Sequence, residues 1–247
     1  MPTLRIPHSD VGRLTFLRTA AQTATKDQGN GLIYMTPDTL RELNEFLKIF
    51  DLAFLHVSAA VGERSREVEE SEAAMAELKM VLDDLWEVLR RRIRRSDEPV
   101  GVLRFYGLDV EGQPPELIAH EEWLELAEQV IQGDAQAVAA GYATAVCPSI
   151  AELQAALDSA RKELDDVTPA ERELDRAEKA VLSLRQQADD LILDIIEELR
   201  FHSRKEDHAS QRHLLRTYGA TYRYQPGEVR DLDDVQEEAE PSIDDEA

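Results

Sequence analysis

The sequence predicts an all-α protein: two tandem, duplicated antiparallel helical-hairpin units packed as a helical bundle, with short extended clips. Three observations carry this. Of 247 residues, 43% are apolar but only 6% aromatic, with 11 Gly and 10 Pro, a composition rich in helix-forming Ala, Leu, Glu and Arg. Apolar residues recur every three or four positions through long charged stretches. A pentapeptide occurs twice, as LRFYG at Leu103–Gly107 and LRTYG at Leu215–Gly219, each closing such a stretch.

Residues 1–7 read as an extended arm. Ser9 or Asp10 caps a first helix, with Val11, Leu14, Leu17 and Ala21 along one face. Gly29-Asn30-Gly31 ends it, because these residues take left-handed backbone angles readily. Thr36-Pro37 opens the next helix: Thr accepts from an orphan amide, and Pro has no amide to lose. Its apolar face runs through Leu40, Leu43, Leu47, Phe50, Phe54, Val57 and Val61. After Gly62 and the polar run Glu63–Glu72, helical spacing resumes at Met75, Leu78, Leu82, Leu85, Leu89 and Ile93. A single helix from Pro37 to Arg95 would be about 88 Å long. The reading therefore favours a turn near Gly62 and an antiparallel hairpin.

Past the first LRFYG and a Gly/Pro-rich link, Pro115 opens a helix carrying Leu117, Leu124, Ala127, Val130 and Ile131. Gly133-Asp134 is expected to interrupt it, leaving Ala135–Val146 as a separate short helix ended by Cys147-Pro148. Ser149 caps the next helix, with Ile150, Leu153, Leu157 and Leu164 inward. Thr168-Pro169-Ala170-Glu171 then has the form of a capping box with Pro at the first helical position, which predicts a turn and a new helix to about Lys205. After LRTYG, Ala220–Tyr224 reads as a short strand or extended clip. Residues 226–247 hold ten acids and one Arg, and this acidic tail is expected to be disordered.

The halves superpose in order. Leu40, Leu43 and Leu47 meet Ile150, Leu153 and Leu157 at an offset of 110. Asp83, Asp84, Leu85 and Ile93 meet Asp189, Asp190, Leu191 and Leu199 at 106. The pentapeptides meet at 112. These matches indicate a duplication, with a first unit over 1–111, a second over 112–225 and a tail over 226–247. Each unit is expected to comprise a short helix, an antiparallel pair and an apolar clip.

The order of elements from Leu4 to Val110 is an arm, a helix, a helical pair ending in Arg90-Arg91-Arg92-Ile93-Arg94-Arg95, then a clip at Phe105–Asp109. It resembles a group of uncharacterised bacterial helical-bundle proteins, although this chain is less Ala-rich. The resemblance implies a fold and no chemistry.

The net charge of −23 opposes nucleic-acid and anionic-membrane partners. One cysteine excludes an internal disulfide, and no stretch approaches the roughly 20 apolar residues of a membrane span. The N-terminus leads into no apolar signal core, so a cytoplasmic protein is the default expectation. No phosphate loop, dinucleotide fingerprint, nucleophile elbow or zinc-finger spacing occurs. His202, His208 and His213 are spaced six and five apart, off any common helical face, and imply no metal site. Adjacent acids such as Asp83-Asp84 and Asp189-Asp190 point about 100° apart, which suits salt bridges better than acid–base work. Cys147 reads as a small buried residue.

Two groups remain. The Arg run Arg90, Arg91, Arg92, Arg94 and Arg95 suits a helix C-terminus, where carbonyls carry partial negative charge, or an acidic partner. Tyr106 and Tyr218 are expected to seal the bundle ends, while Tyr218, Tyr222 and Tyr224 are also candidate partner contacts. The leading expectation is a non-enzymatic scaffold or interaction protein that forms a homo-oligomer and needs no cofactor. The alternatives are an adaptor that engages a protein through its acidic tail and Arg-rich helix end, and a metal-dependent enzyme with a bundle pocket.

Overall fold

A computed structural model describes residues 2–96 and 98–225. The acidic tail expected over 226–247 lies outside the described residues. The chain runs β1 (Thr3–Arg5), α1 (Asp10–Gly29), α2 (Pro37–Arg95), a 3-10 helix (Val100–Tyr106), α3 (His120–Ala139), α4 (Ile150–Ser203), α5 (His208–Thr217) and β2 (Thr221–Arg223). It is an all-α fold with one two-stranded antiparallel sheet, Leu4 opposite Tyr222.

The order short helix, long helix, LRxYG turn occurs twice, but each occurrence has one long helix where a hairpin was expected. α2 is continuous for 59 residues, through Gly62, and α4 for 54, through Pro169. The local signals were too weak to break them. One exposed glycine costs a helix about 1 kcal/mol. The polar run beside it is helical and laced at the i+3 and i+4 positions, with Arg66 bridging Glu63 and Glu70. Pro169 is exposed, as is Asp165 one turn earlier, whose freed carbonyl water can solvate. α3 likewise passes through Gly133 and Asp134 to Ala139, and starts at His120 rather than Pro115. There the Glu122 carboxylate accepts from the amides of Ile118 (2.8 Å) and Ala119 (3.0 Å).

The compact units cut across the division at residue 111. Unit 1 holds residues up to Val57 and from Arg176, and unit 2 holds Ser58–Asp175. The antiparallel pairing expected inside each repeat is made between repeats. In unit 1, Leu43, Phe46 and Phe50 of α2 pack with Leu17 and Ala20 of α1, Ile192, Ile195 and Leu199 of α4, and Leu215 of α5. Glu198 accepts from the Thr36 amide and the Thr39 hydroxyl, fixing where α2 begins against α4. In unit 2, Leu78, Leu82, Leu85 and Trp86 of α2 pack with Val102 and Leu103, Ala127 and Val130 of α3, and Leu153 and Leu157 of α4. Each such side chain contributes about 1.5–3 kcal/mol on full burial. No described helix is long and apolar enough to cross a membrane.

Candidate functional site

The repeated pentapeptide is a helix-stop device. Gly107 and Gly219 hold φ of 74° and 94°, where only glycine is unstrained. The following amides reach back to the repeat's leucine, Leu108 to the Leu103 carbonyl at 3.2 Å and Ala220 to that of Leu215 at 3.0 Å. This six-to-one bond defines a Schellman cap, and its apolar pair (Leu103 with Leu108, Leu215 with Ala220) is buried in both copies.

The tyrosines seal the ends as expected, and both are fully buried. Each hydroxyl donates to a carboxylate on the short helix of the other repeat. Tyr106 bonds Asp134 of α3 at 2.7 Å, and Tyr218 bonds Asp27 of α1 at 2.8 Å. Asp134 also accepts from the Thr144 hydroxyl (2.7 Å) and the Ala145 amide (3.1 Å). Trp86 Nε1 donates to the Tyr106 carbonyl at 2.9 Å. Burial, and then the carboxylate acceptor, pushes the Tyr106 phenol up to about 12 and raises that of Tyr218 as well. Sequence reasoning missed both aspartates. Their signal was an offset of 107, close to that of the pentapeptides, but Asp134 next to Gly133 read as a helix break.

Gly133 has a different duty. A Cβ there would lie 1.5 Å from the Phe105 carbonyl oxygen, so α3 and the 3-10 helix touch backbone to backbone. The groove alongside holds about 500 Å³ and is lined by Arg104, Phe105, Gln129, Gln132, Gln136 and three glycines. None of these residues is a carboxylate, an imidazole or a thiol. The groove offers hydrogen bonds and one cation, without a nucleophile or a proton-transfer pair.

The Arg run is brought together at the end of α2 and most of it is engaged locally. Arg90 Nε donates to the Gly112 carbonyl (2.7 Å) and Arg92 Nη1 to that of Ala143 (2.7 Å), tying two loops to the helix end. Arg92 pairs with Glu98, Arg91 with Glu87, and Arg94 donates to the Arg90 carbonyl, while Arg95 is exposed. Of the tyrosine candidates, Tyr218 is in the core, and its expected role as a partner contact is corrected: its ring packs inside unit 1. Tyr222 and Tyr224 are half-buried beside Arg216, which stacks on the first (5.1 Å to the ring centre) and donates to the hydroxyl of the second (2.6 Å).

The remaining candidates separate. His202, in α4, meets Phe201 edge-on, while His208 and His213 lie in α5. Asp189 pairs with Arg13 at 2.7 Å, and Asp83 and Asp84 are exposed. Cys147 is exposed, against expectation, because the loop turns Ala145 inward to reach Asp134. Among the described residues, one group of carboxylates has metal-like spacing, Glu67, Glu163 and Asp166. Its members already pair with cations, Glu67 with Arg66 at 2.6 Å and Glu163 with Lys162 at 2.8 Å. No protein-family model, curated protein or solved structure matches the chain.

Proposed function

We propose that this protein is a non-enzymatic helical scaffold that associates with a second copy of itself through unit 1. The observation that carries this reading is an apolar row on α2, where Ile49, Leu52 and Leu55 are 55%, 53% and 67% exposed. Spaced by three, they span about 120° of the helix surface, the width of a core-facing stripe. Counting along α2 and α4 in opposite directions from the Thr39–Glu198 contact brings exposed Leu182 level with Leu55.

Charge favours the same surface. Residues 2–57 and 176–225 carry 15 basic and 14 acidic side chains, and residues 58–175 carry 12 and 27. Residues 226–247, which belong to unit 1, add one basic and ten acidic side chains, so two copies of unit 1 at a net −8 repel one another less than two copies of unit 2 at −15. The polar groups that the fold buries hold helix ends, and the groove beside α3 carries no acid–base pair, which supports a packing role over a chemical one.

Light scattering across about a hundredfold range of concentration tests the proposal. The wild-type chain is expected to form a dimer, and Leu52→Glu with Leu55→Glu to remain a monomer of unchanged helicity. A wild-type chain that stays monomeric throughout would remove the self-association reading.

A further inference from the structure

The groove beside α3 lies wholly within unit 2, and the packing of that unit leaves its polar side chains unused. Among the described residues, neither the Arg104 guanidinium nor the carboxamides of Gln129, Gln132 and Gln136 bond to a protein group. All four side chains are exposed, in a chain with 51 acidic residues that could pair with the arginine. Glutamines elsewhere find partners: Gln154 bonds Asp158, Gln186 bonds Asp190, and Gln211 bonds the Ser203 carbonyl.

These groups fall in order along a line. Gly107 faces Leu126 and Val130, while Phe105 meets Gly133, so the 3-10 helix runs antiparallel to α3. Arg104 therefore stands towards the Gln136 end of the groove. On α3, Glu121, Glu125, Gln129, Gln132 and Gln136 lie within about 80° of one another. The carboxamide row thus continues past Gln129 into two exposed carboxylates, which have no partner among the described residues. Their neighbour Glu128 is held by Arg161. From Glu125 to Gln136 is about 16 Å of helix, the length of about five extended residues.

We propose that this groove binds the extended C-terminal end of a partner polypeptide, its terminal carboxylate on Arg104 and a basic side chain four residues earlier towards Glu125. A guanidinium holds a carboxylate through two parallel hydrogen bonds. Each carboxamide both donates and accepts, as the peptide groups of an extended chain require. The half-buried Phe105 ring, set against Tyr142 at 6.4 Å, gives the last side chain an apolar wall. A polyanion is a poorer fit, because the groove has one cation in a unit with 27 acidic against 12 basic side chains. The site does not depend on self-association through α2.

The test titrates the peptide acetyl-Lys-Ala-Ala-Ala-Val, with a free C-terminal carboxylate, into the isotope-labelled full chain and follows its NMR spectrum. Saturable shifts are expected at the side-chain amides of Gln129, Gln132 and Gln136 below about 5 mM peptide. Amidating the peptide's carboxylate, or Arg104→Gln, should each weaken binding about tenfold. The two changes together should cost no more than either alone, since both remove one contact. Exchanging the peptide's lysine for glutamate should weaken binding about threefold, and Glu125→Gln should abolish that difference. Arg104 and Glu125 are exposed and make no described contact that the substitutions would break. The proposal is overturned by the absence of a saturable shift at the three glutamines, by equal binding of the amidated peptide, by additive losses from amidation and Arg104→Gln, or by equal binding of the lysine and glutamate peptides.

Discussion

Tyr106 and Tyr218 occupy matching points of the two repeats, but their carboxylate partners are unlike. Asp134 is buried and holds three donors, a hydroxyl on the 3-10 helix, the Thr144 hydroxyl and the Ala145 amide. Asp27 is half-buried, and its carboxylate receives the Tyr218 hydroxyl. The first end is also tighter, since Gly133 lets backbone meet backbone, while Gly219 approaches only side-chain atoms of Thr19 and the Phe16 Cα at 3.2–3.4 Å. The two LRxYG turns thus share a helix stop and differ in its support. The end of unit 2 rests on a buried polar hub, and that of unit 1 on apolar packing and a strand pair.

The comparison breaks most severely at Gly133. Gly133→Ala places a methyl against a carbonyl that cannot move without its helix, and a loss of about 4 kcal/mol or more is expected. Urea unfolding would measure it, and a loss below about 1 kcal/mol would show that the close approach is dispensable. Asp134→Ala comes next, at about 3 kcal/mol for three stranded donors, against about 1–2 kcal/mol for Asp27→Ala. Equal losses would mean that the two ends are supported alike.

Alkaline titration sharpens the point. Both phenols have folded pKa values above the unfolded value of 10.0, so folding binds their protons more tightly. Their contribution is fully present below pH 10 and is lost as pH rises from 10 towards about 12 for Tyr106. Absorbance of tyrosinate should show two of the six tyrosines keeping their protons well above pH 10. A single transition of all six near 10 would contradict the buried hydrogen bonds. The smallest effect is at Gly62, where a Cβ meets nothing within 4 Å. Gly62→Ala should stabilise the chain by about 0.5–1 kcal/mol, as for any exposed site inside a helix. Destabilisation would revive the turn that α2 lacks.

From the sequence alone came the helical class, the faces of the long helices, a cap at Ser9 or Asp10 (the structure uses Ser9), the cap at Ser149, and the burial of the two clip tyrosines. The class, the faces and the caps depend on neighbours within about seven residues, where spacing and side-chain chemistry report directly, and the apolar LRxYG clip marks the tyrosines as buried without naming their partners. Ser9 accepts from the Gly12 amide at 3.1 Å, and Ser149 exchanges bonds with Glu152. Tertiary structure decided whether Gly62 and Pro169 end a helix, because the cost of each is local and modest while the burial that outweighs it comes from the opposing helix. It also decided which repeat each tyrosine seals, since Asp27 and Asp134 lie 191 and 28 residues from their partners. Nothing at the level of spacing tells a buried aspartate beside a glycine from a helix break; only the element packed against it does.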